Sequence, residues 1–146
     1  MRDNPKFKGE LGQAITIGEL AKFEIQCALP MSDNLPFDII VIYKDRLYKA
    51  QIKTSSYHTP GTNGSIAFNL NTNNWHKKTI RKYTKKDTDI MILCDYHTIY
   101  LLKKEDFIGR KSFSIRTETS KNKQRSNCNA AIDYSISVKR LEEVFQ

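Results

Sequence analysis

The sequence predicts an α/β class fold (α/β or α+β), with a central mixed β-sheet flanked by helices, in one domain spanning 1–146. Three observations lead there. The chain has 146 residues, enough for one compact domain. Hydrophobic residues make up 39% and charged residues 27%, which supplies a core and argues against disorder. Helical and strand-like patterns are interleaved in the order α, β, β, β, α, β, β, as expected of a mixed sheet with helices packed on it.

Residues 7–26 read as a helix, with Leu11, Ala14, Ile15, Gly18, Ala21 and Ile25 forming one apolar stripe. Gly12 and Gly18 each lower helix propensity by roughly 1 kcal/mol relative to Ala. A helix that keeps them is expected to lie close against a flat surface such as a sheet. Ala28-Leu29-Pro30 is a short extended piece, followed by a turn-rich loop over 31–36. Phe37 to Tyr43 is apolar except for Asp38 and rich in β-branched residues, and so reads as a central strand. Lys44-Asp45 is a two-residue turn, and Arg46 to Ser55 is its hairpin partner. After a Pro/Gly loop, Ser65 to Leu70 is a short strand. Asn71 to Asn74 can cap a short basic helix over Trp75 to Tyr83. Asp89–Asp95 and Thr98–Leu102 form a second hairpin around Tyr96-His97, and Lys104–Ile108 is a helical turn. Phe113–Thr117 alternates like an edge strand, Thr119–Asn129 is a polar loop, and Val138–Phe145 closes the chain as a helix.

No run of 18 or more apolar residues occurs, so no membrane-spanning helix is expected. The opening Met1-Arg2-Asp3-Asn4-Pro5-Lys6 lacks the apolar core of a secretory signal. Cys27, Cys94 and Cys128 are widely spaced and odd in number, which supports neither a zinc site nor a disulfide framework. The reducing cytoplasm is the expected compartment.

Charge is distributed unevenly. Of a net +8, residues 1–50 contribute 0, residues 51–125 contribute +9 and residues 126–146 contribute −1. A neutral first third followed by a basic middle suggests a scaffold carrying a polyanion-binding surface. The alternative is an ordinary Lys-rich surface. Asn71, Asn73, Lys77, Lys78, Arg81 and Lys82 lie in one basic, amide-rich segment, and Arg116, Lys121, Lys123 and Arg125 in another. Amides and Arg can read base edges, and Lys can neutralise phosphates. Both segments can equally be solvated faces, with Trp75 and Ile80 buried beneath the first.

The most informative stretch is Pro36-Phe37-Asp38 followed, twelve residues on, by Gln51-Ile52-Lys53. Strand alternation places Asp38 with Ile40 and Ile42, and Lys49, Gln51 and Lys53 together on one face of the partner. A buried unpaired charge is costly, so such a face needs a reason. It has one if Asp38, Gln51 and Lys53 converge on a site. An aspartate and a second oxygen ligand suit Mg²⁺. A metal there would polarise a phosphoryl oxygen and lower the pKa of a bound water. A lysine alongside offsets charge developing on the phosphate. Glu10, placed in the first turn of the first helix, is a further candidate ligand.

These residues resemble a known family. Lys8-Gly9-Glu10-Leu11-Gly12, Pro36-Phe37-Asp38 and Gln51-Ile52-Lys53-Thr54 are similar to the PD-(D/E)xK nuclease superfamily, and above all to its group I intron-associated homing endonuclease branch. The likeness continues through Phe68-Asn69, Asn74-Trp75, Lys78, Arg81-Lys82-Tyr83, Asp89, Ile99-Tyr100-Leu101, Ile115-Arg116, Lys121-Asn122, Gln124 and Asp133-Tyr134. It implies a restriction-endonuclease-like core. Asp38 is then the core metal ligand, Glu10 a ligand or metal-water contact, and Lys53 the catalytic lysine. Gln51 stands where most of the superfamily has Asp or Glu. Its amide oxygen can bind Mg²⁺ but brings no charge, so fewer or weaker metals are expected. The implied activity is Mg²⁺-dependent, site-specific cleavage of double-stranded DNA, with Mn²⁺ substituting. A small domain that cuts both strands implies a homodimer or homotetramer. The implied setting is nucleoid-associated, in a bacterial host and encoded by a phage or an intron. Two alternatives remain at this point: a Holliday-junction resolvase of the same superfamily, and a DNA-binding module that has lost catalysis.

Overall fold

The computed structural model describes residues 4–61, 64–74, 78–118 and 128–146, with backbone only for Asn73 and Asn74. The first helix, α1 (Pro5–Ala21), starts earlier than its apolar pattern. The Asn4 side chain accepts hydrogen bonds from the amides of Lys6 and Phe7, and Pro5 fills the first helical position, where no amide is needed. The helix ends at Ala21, before the expected residue 26, and Glu24 turns the chain at φ 60°.

The stripe that α1 buries is Gly12, Thr16 and Leu20, with Ile15 at its edge. Ala14, Gly18 and Ala21, counted as core from the sequence, face solvent. Gly12 explains this rotation. A Cβ there would overlap the γ-methyl of Thr54, so the helix axis rides directly on the sheet at that point. Nothing approaches Gly18, so the expected close packing holds for one glycine and not for the other.

Five strands form the main sheet in the order β1-β2-β3-β7-β8. They are β1 (Gln26–Ala28), β2 (Ile39–Tyr43), β3 (Arg46–Thr54), β7 (Ile90–Cys94) and β8 (Ile99–Leu102). Only β3 and β7 run parallel, which makes the sheet mixed as expected. The central strand is β3, whereas the run from Phe37 supplies β2, one place further out. The hairpin turn is Lys44-Asp45, both at positive φ (48° and 61°), the geometry whose twist matches two joined strands.

Ala50, Ile52, Ile90 and Ile92 on one face pack with Leu20 of α1 and with Leu141 and Val144 of α4 (Val138–Val144). On the other face Met91, Leu93 and Leu102 meet Phe68 of β4 (Ser65–Asn69), Phe107 of α2 (Lys104–Phe107), and Phe113 and Ile115 of β9 (Ser112–Arg116). Every residue of β7 is buried, because both of its faces are covered. The expected edge strand, β9, pairs with β4 in a separate two-stranded ribbon. A short α3 (Ala131–Tyr134), not foreseen from the sequence, bridges to β8.

One expected element is overturned. In place of a basic helix over 75–83, Thr72–Asn74 is β5 and Thr79–Arg81 is β6, paired antiparallel as a second ribbon. Residues 75–77 lie outside the described residues. Thr79 and Ile80 are β-branched and favour strand over helix, and Lys78 at φ 49° takes a conformation no helix contains. Most of the polar loop expected over Thr119–Asn129 also lies outside the described residues.

Candidate active site

The register of β2 on β3 sets the site. Ile39 pairs with Ala50, and one residue earlier the Asp38 amide donates to the Ala50 carbonyl at 2.9 Å. Asp38 therefore stands beside Gln51, on the face that Gln51 shares with Lys53. Its Oδ2 accepts two hydrogen bonds, from Gln51 Nε2 at 2.6 Å and from the Ile52 amide at 2.8 Å. Burial pushes the Asp38 carboxyl above the usual range, against the opposing pull of the Ile52 N–H and the Lys53 charge. Burial likewise lowers the Lys53 ammonium, opposed by the charge of Asp38. Each charge thus partly compensates the desolvation of the other.

Lys53 does not close onto Asp38. Its Nζ donates to the Asn71 carbonyl at 2.9 Å and lies 5.1 Å from the centre of the Tyr83 ring. Lys49, the third polar residue on this face, is a brace. Its amide donates to Asp89 Oδ2 at 2.9 Å and its Nζ to the Lys86 carbonyl at 2.7 Å.

Glu10 sits on α1, outside the hydrogen bonds that join these residues. The earlier helix start puts it in the second turn of α1, where the first-turn dipole benefit has faded, and its side chain is exposed. At 100° per residue it lies about 120° round the helix from the centre of the Gly12–Thr16–Leu20 stripe. It forms no hydrogen bond or ion pair among the described residues.

The candidate DNA-contact residues sort into four groups. Lys78 and Lys82 are exposed on the β5–β6 ribbon. Arg81 is engaged, its two terminal nitrogens reaching Asp87 at 2.6 and 3.0 Å. Asn71 is half-buried, with its amide on the Asn69 side chain and its carbonyl on Lys53. Arg116 is half-buried at the end of β9. The Asn73 side chain, Lys77, Lys121, Lys123 and Arg125 lie outside the described residues.

Sequence reasoning missed the surroundings of Lys53. Tyr83 was assigned to a helix end, whereas its ring faces the lysine, and the backbone carbonyl of Asn71 accepts from the same ammonium while its side chain remains a candidate for base reading. The β-branched pair Thr79-Ile80 ahead of Tyr83 was the available signal for a strand that brings this ring back to the sheet.

The oxygens left over suit a hard cation. Among the described residues, Asp38 Oδ1 and Gln51 Oε1 accept no hydrogen bond. One carboxylate and one amide oxygen fit Mg²⁺, which binds through few protein ligands and retains water. No group of three or more His, Cys, Asp or Glu residues that could hold a metal occurs among the described residues, so water and substrate oxygens would complete the shell.

A mixed sheet with helices packed on it, an aspartate leading into one strand and Gln51-Ile52-Lys53 on the next, define a nuclease core of the restriction-endonuclease type. The PD-(D/E)XK endonuclease family matches residues 3–137, and the chain belongs to it. The solved structure titled as a bacterial homing endonuclease, I-Ssp6803I, superposes with a TM-score of 0.72 at 20% identity, over 90% of this chain and 88% of that one. The crystal structure of MepB gives a TM-score of 0.38 at 14% identity, over 67% and 74%. No curated protein matches the chain. Among the described residues no helix is long and apolar enough to cross a membrane.

Proposed function

We propose that this protein is a Mg²⁺-dependent, site-specific endonuclease of homing type that cuts double-stranded DNA, with Mn²⁺ able to substitute. The observation that carries the reading is the convergence of Asp38, Gln51 and Lys53 on one face of the β2–β3 hairpin, with Asp38 Oδ1 and Gln51 Oε1 left open. Asp38 and Gln51 would hold the cation. Bound there, Mg²⁺ supplies Lewis-acid polarisation of the scissile phosphate and activation of a water.

The chain's own groups do the rest. The Ile52 amide and the Gln51 side chain fix the Asp38 carboxylate through Oδ2 and leave Oδ1 without a hydrogen bond among the described residues. Lys53 presents a cation where negative charge grows on the phosphate as water adds to phosphorus. The P–O3′ bond then breaks; the attacking water gives up a proton to solvent and O3′ takes one from solvent, leaving a 5′-phosphate and a 3′-hydroxyl. Lys78 and Lys82 on the exposed ribbon would contact DNA phosphates, and Asn73, Lys77, Arg116, Lys121, Lys123 and Arg125 extend the candidate surface. Arg81 acts first as a strut through Asp87. Glu10, exposed on α1 and without a hydrogen bond among the described residues, is the further candidate metal ligand or metal-water contact, so Glu10→Ala should also lower cleavage. One site per chain and two strands to cut make a homodimer or homotetramer the working assembly, in one 146-residue domain. The expected setting is the cytoplasm, at the nucleoid.

The test is cleavage of a randomised duplex library and of a four-way junction in Mg²⁺ or Mn²⁺. Wild type should cut a defined duplex sequence. Asp38→Ala and Lys53→Ala should each lose at least roughly a hundredfold in rate, with DNA affinity retained and circular dichroism unchanged. Undiminished cutting by Asp38→Ala would overturn the assignment. Cutting confined to the junction would make the protein a resolvase.

A further inference from the structure

The ammonium of Lys53 is held away from the carboxylate it is charged to meet. Asp38 and Lys53 lie on the same face and each shifts the other's ionisation, yet Nζ is engaged elsewhere. Its neighbours are the carbonyl of Asn71, just before β5, and the ring of Tyr83, two residues after β6. Both belong to the roots of the same exposed basic ribbon.

We infer that Tyr83 is the positioning residue of Lys53: its ring and the Asn71 carbonyl form a seat that keeps the ammonium from collapsing onto Asp38, leaving Asp38 Oδ1 open. This rests on the reading of Lys53 as the catalytic lysine. Three features support it. First, an ammonium has three donors and no acceptor, and a half-buried one needs partners for them. The Asn71 carbonyl takes one, and the negative face of an aromatic ring is the next best partner when water is excluded. Second, the ring is fixed. Tyr83 is 4% exposed, packed in the core with Phe68, Leu70 and Leu93. Third, without the seat the nearest opposite charge is Asp38. A direct ion pair there would consume the oxygen that the metal requires.

The seat also has a direction. Asn71 and Thr72 lead into β5, and Tyr83 follows β6, so the ribbon's two ends meet at the lysine. A displacement of the ribbon is therefore passed directly to Nζ, through the Asn71 carbonyl and the Tyr83 ring.

The experiment compares wild type, Tyr83→Phe and Tyr83→Leu. The first readout is the proton spectrum of the Lys53 ε-methylene, assigned by its loss in Lys53→Arg. A ring 5.1 Å from Nζ should shift this signal upfield in wild type and in Tyr83→Phe, and Tyr83→Leu should return it to the ordinary lysine position. The second readout is the single-turnover cleavage rate on saturating DNA, together with DNA affinity. Tyr83→Leu should cut roughly tenfold more slowly with affinity unchanged, and Tyr83→Phe should restore the wild-type rate. A purely structural role would not give rescue by Phe together with the spectral shift. An unshifted Lys53 signal in wild type overturns the inference, even if Tyr83→Leu fails to fold. So does a folded Tyr83→Leu that cuts at the wild-type rate, or a Tyr83→Phe as slow as Leu. If wild type cuts no DNA, the nuclease reading falls, while the spectral shift still decides whether the seat exists.

Discussion

Replacing Gln51 by Glu restores the acid that most of the superfamily carries, and the structure gives the consequence both without and with metal. In the wild type the Gln51 amide donates to Asp38 Oδ2 at 2.6 Å. A glutamate cannot donate, and it sets a second carboxylate against the first. With charge centres about 4 Å apart and an effective dielectric near 20, the repulsion is about 4 kcal/mol. Gln51 is only half-buried, so the new side chain can swing outward and relieve much of that. The expected net loss of stability in EDTA at pH 8 is about 1 to 3 kcal/mol, part of it the lost charged hydrogen bond. Gln51→Met has nearly the same length, loses the hydrogen bond and adds no charge, and so isolates the two causes.

Adding Mg²⁺ should reverse the order. A cation binding only the folded state adds RT ln(1 + [L]/Kd), about 2.7 kcal/mol at a hundredfold excess over Kd. Two carboxylates should bind it more tightly than a carboxylate and an amide. The assay is urea unfolding followed by circular dichroism, with EDTA and across a Mg²⁺ titration. The midpoint of Gln51→Glu should lie below those of wild type and Gln51→Met in EDTA, and should rise the most with metal. Equal midpoints in EDTA for Gln51→Glu and Gln51→Met would refute the placement of the two side chains. An equal rise for all three variants would refute Gln51 as part of the metal's surroundings.

Gly12 and Gly18 of α1 should respond with opposite signs. Gly18→Ala meets nothing and is expected to stabilise by about 1 kcal/mol, whereas Gly12→Ala must displace Thr54 and should cost about 1 to 2 kcal/mol net of the same propensity gain. Thr54→Ser, which removes the γ-methyl, should recover most of that loss in the double variant, as read from urea midpoints. Acid should weaken the ribbon. Its Arg81 partner holds the Asp87 carboxyl down at about 2, from an ordinary 3.8. A depressed carboxyl contributes above its unfolded value, and the contribution fades as pH falls from about 4 towards 2. Because Arg81 is half-exposed, solvent screens the pair, and its contribution is under about 1 kcal/mol. Asp87→Asn should therefore be less stable than wild type at pH 7 by that amount, with the gap clearly narrowed by pH 2, and a gap undiminished in acid would refute the pairing.

Whatever depends on one hairpin was readable from the sequence. Alternation along Lys49, Gln51 and Lys53, the apolar run after Asp38 and the two-residue turn at Lys44-Asp45 together imply both strands and their shared polar face. The parallel pairing of β3 with β7 is a long-range contact that no local pattern announces. The ribbon was misread because amides and lysines around 71–82 carry no clear period, and its strands are only three residues each. The stripe of α1 was misjudged because hydrophobicity counts Ala and Gly as core. Here the deciding contact is the absence of a side chain at Gly12, over Thr54.

The same locality explains how the Asp38 carboxylate is held in this site. All the described groups that stabilise the Asp38 charge come from three successive residues of one strand: the Gln51 amide, the Ile52 N–H and the Lys53 ammonium. They reach it only in the register where Ile39 faces Ala50. A slip by one residue would offer Asp38 the side chains of Ala50 and Ile52, and would turn Gln51 and Lys53 into the apolar layer beneath α1. Such a slip is opposed at both ends of the hairpin, by the tight turn at Lys44-Asp45 and by α1 seated on Thr54 at the far end of β3. Gly12 thus contributes no atom to the site, yet helps fix the register on which the site depends.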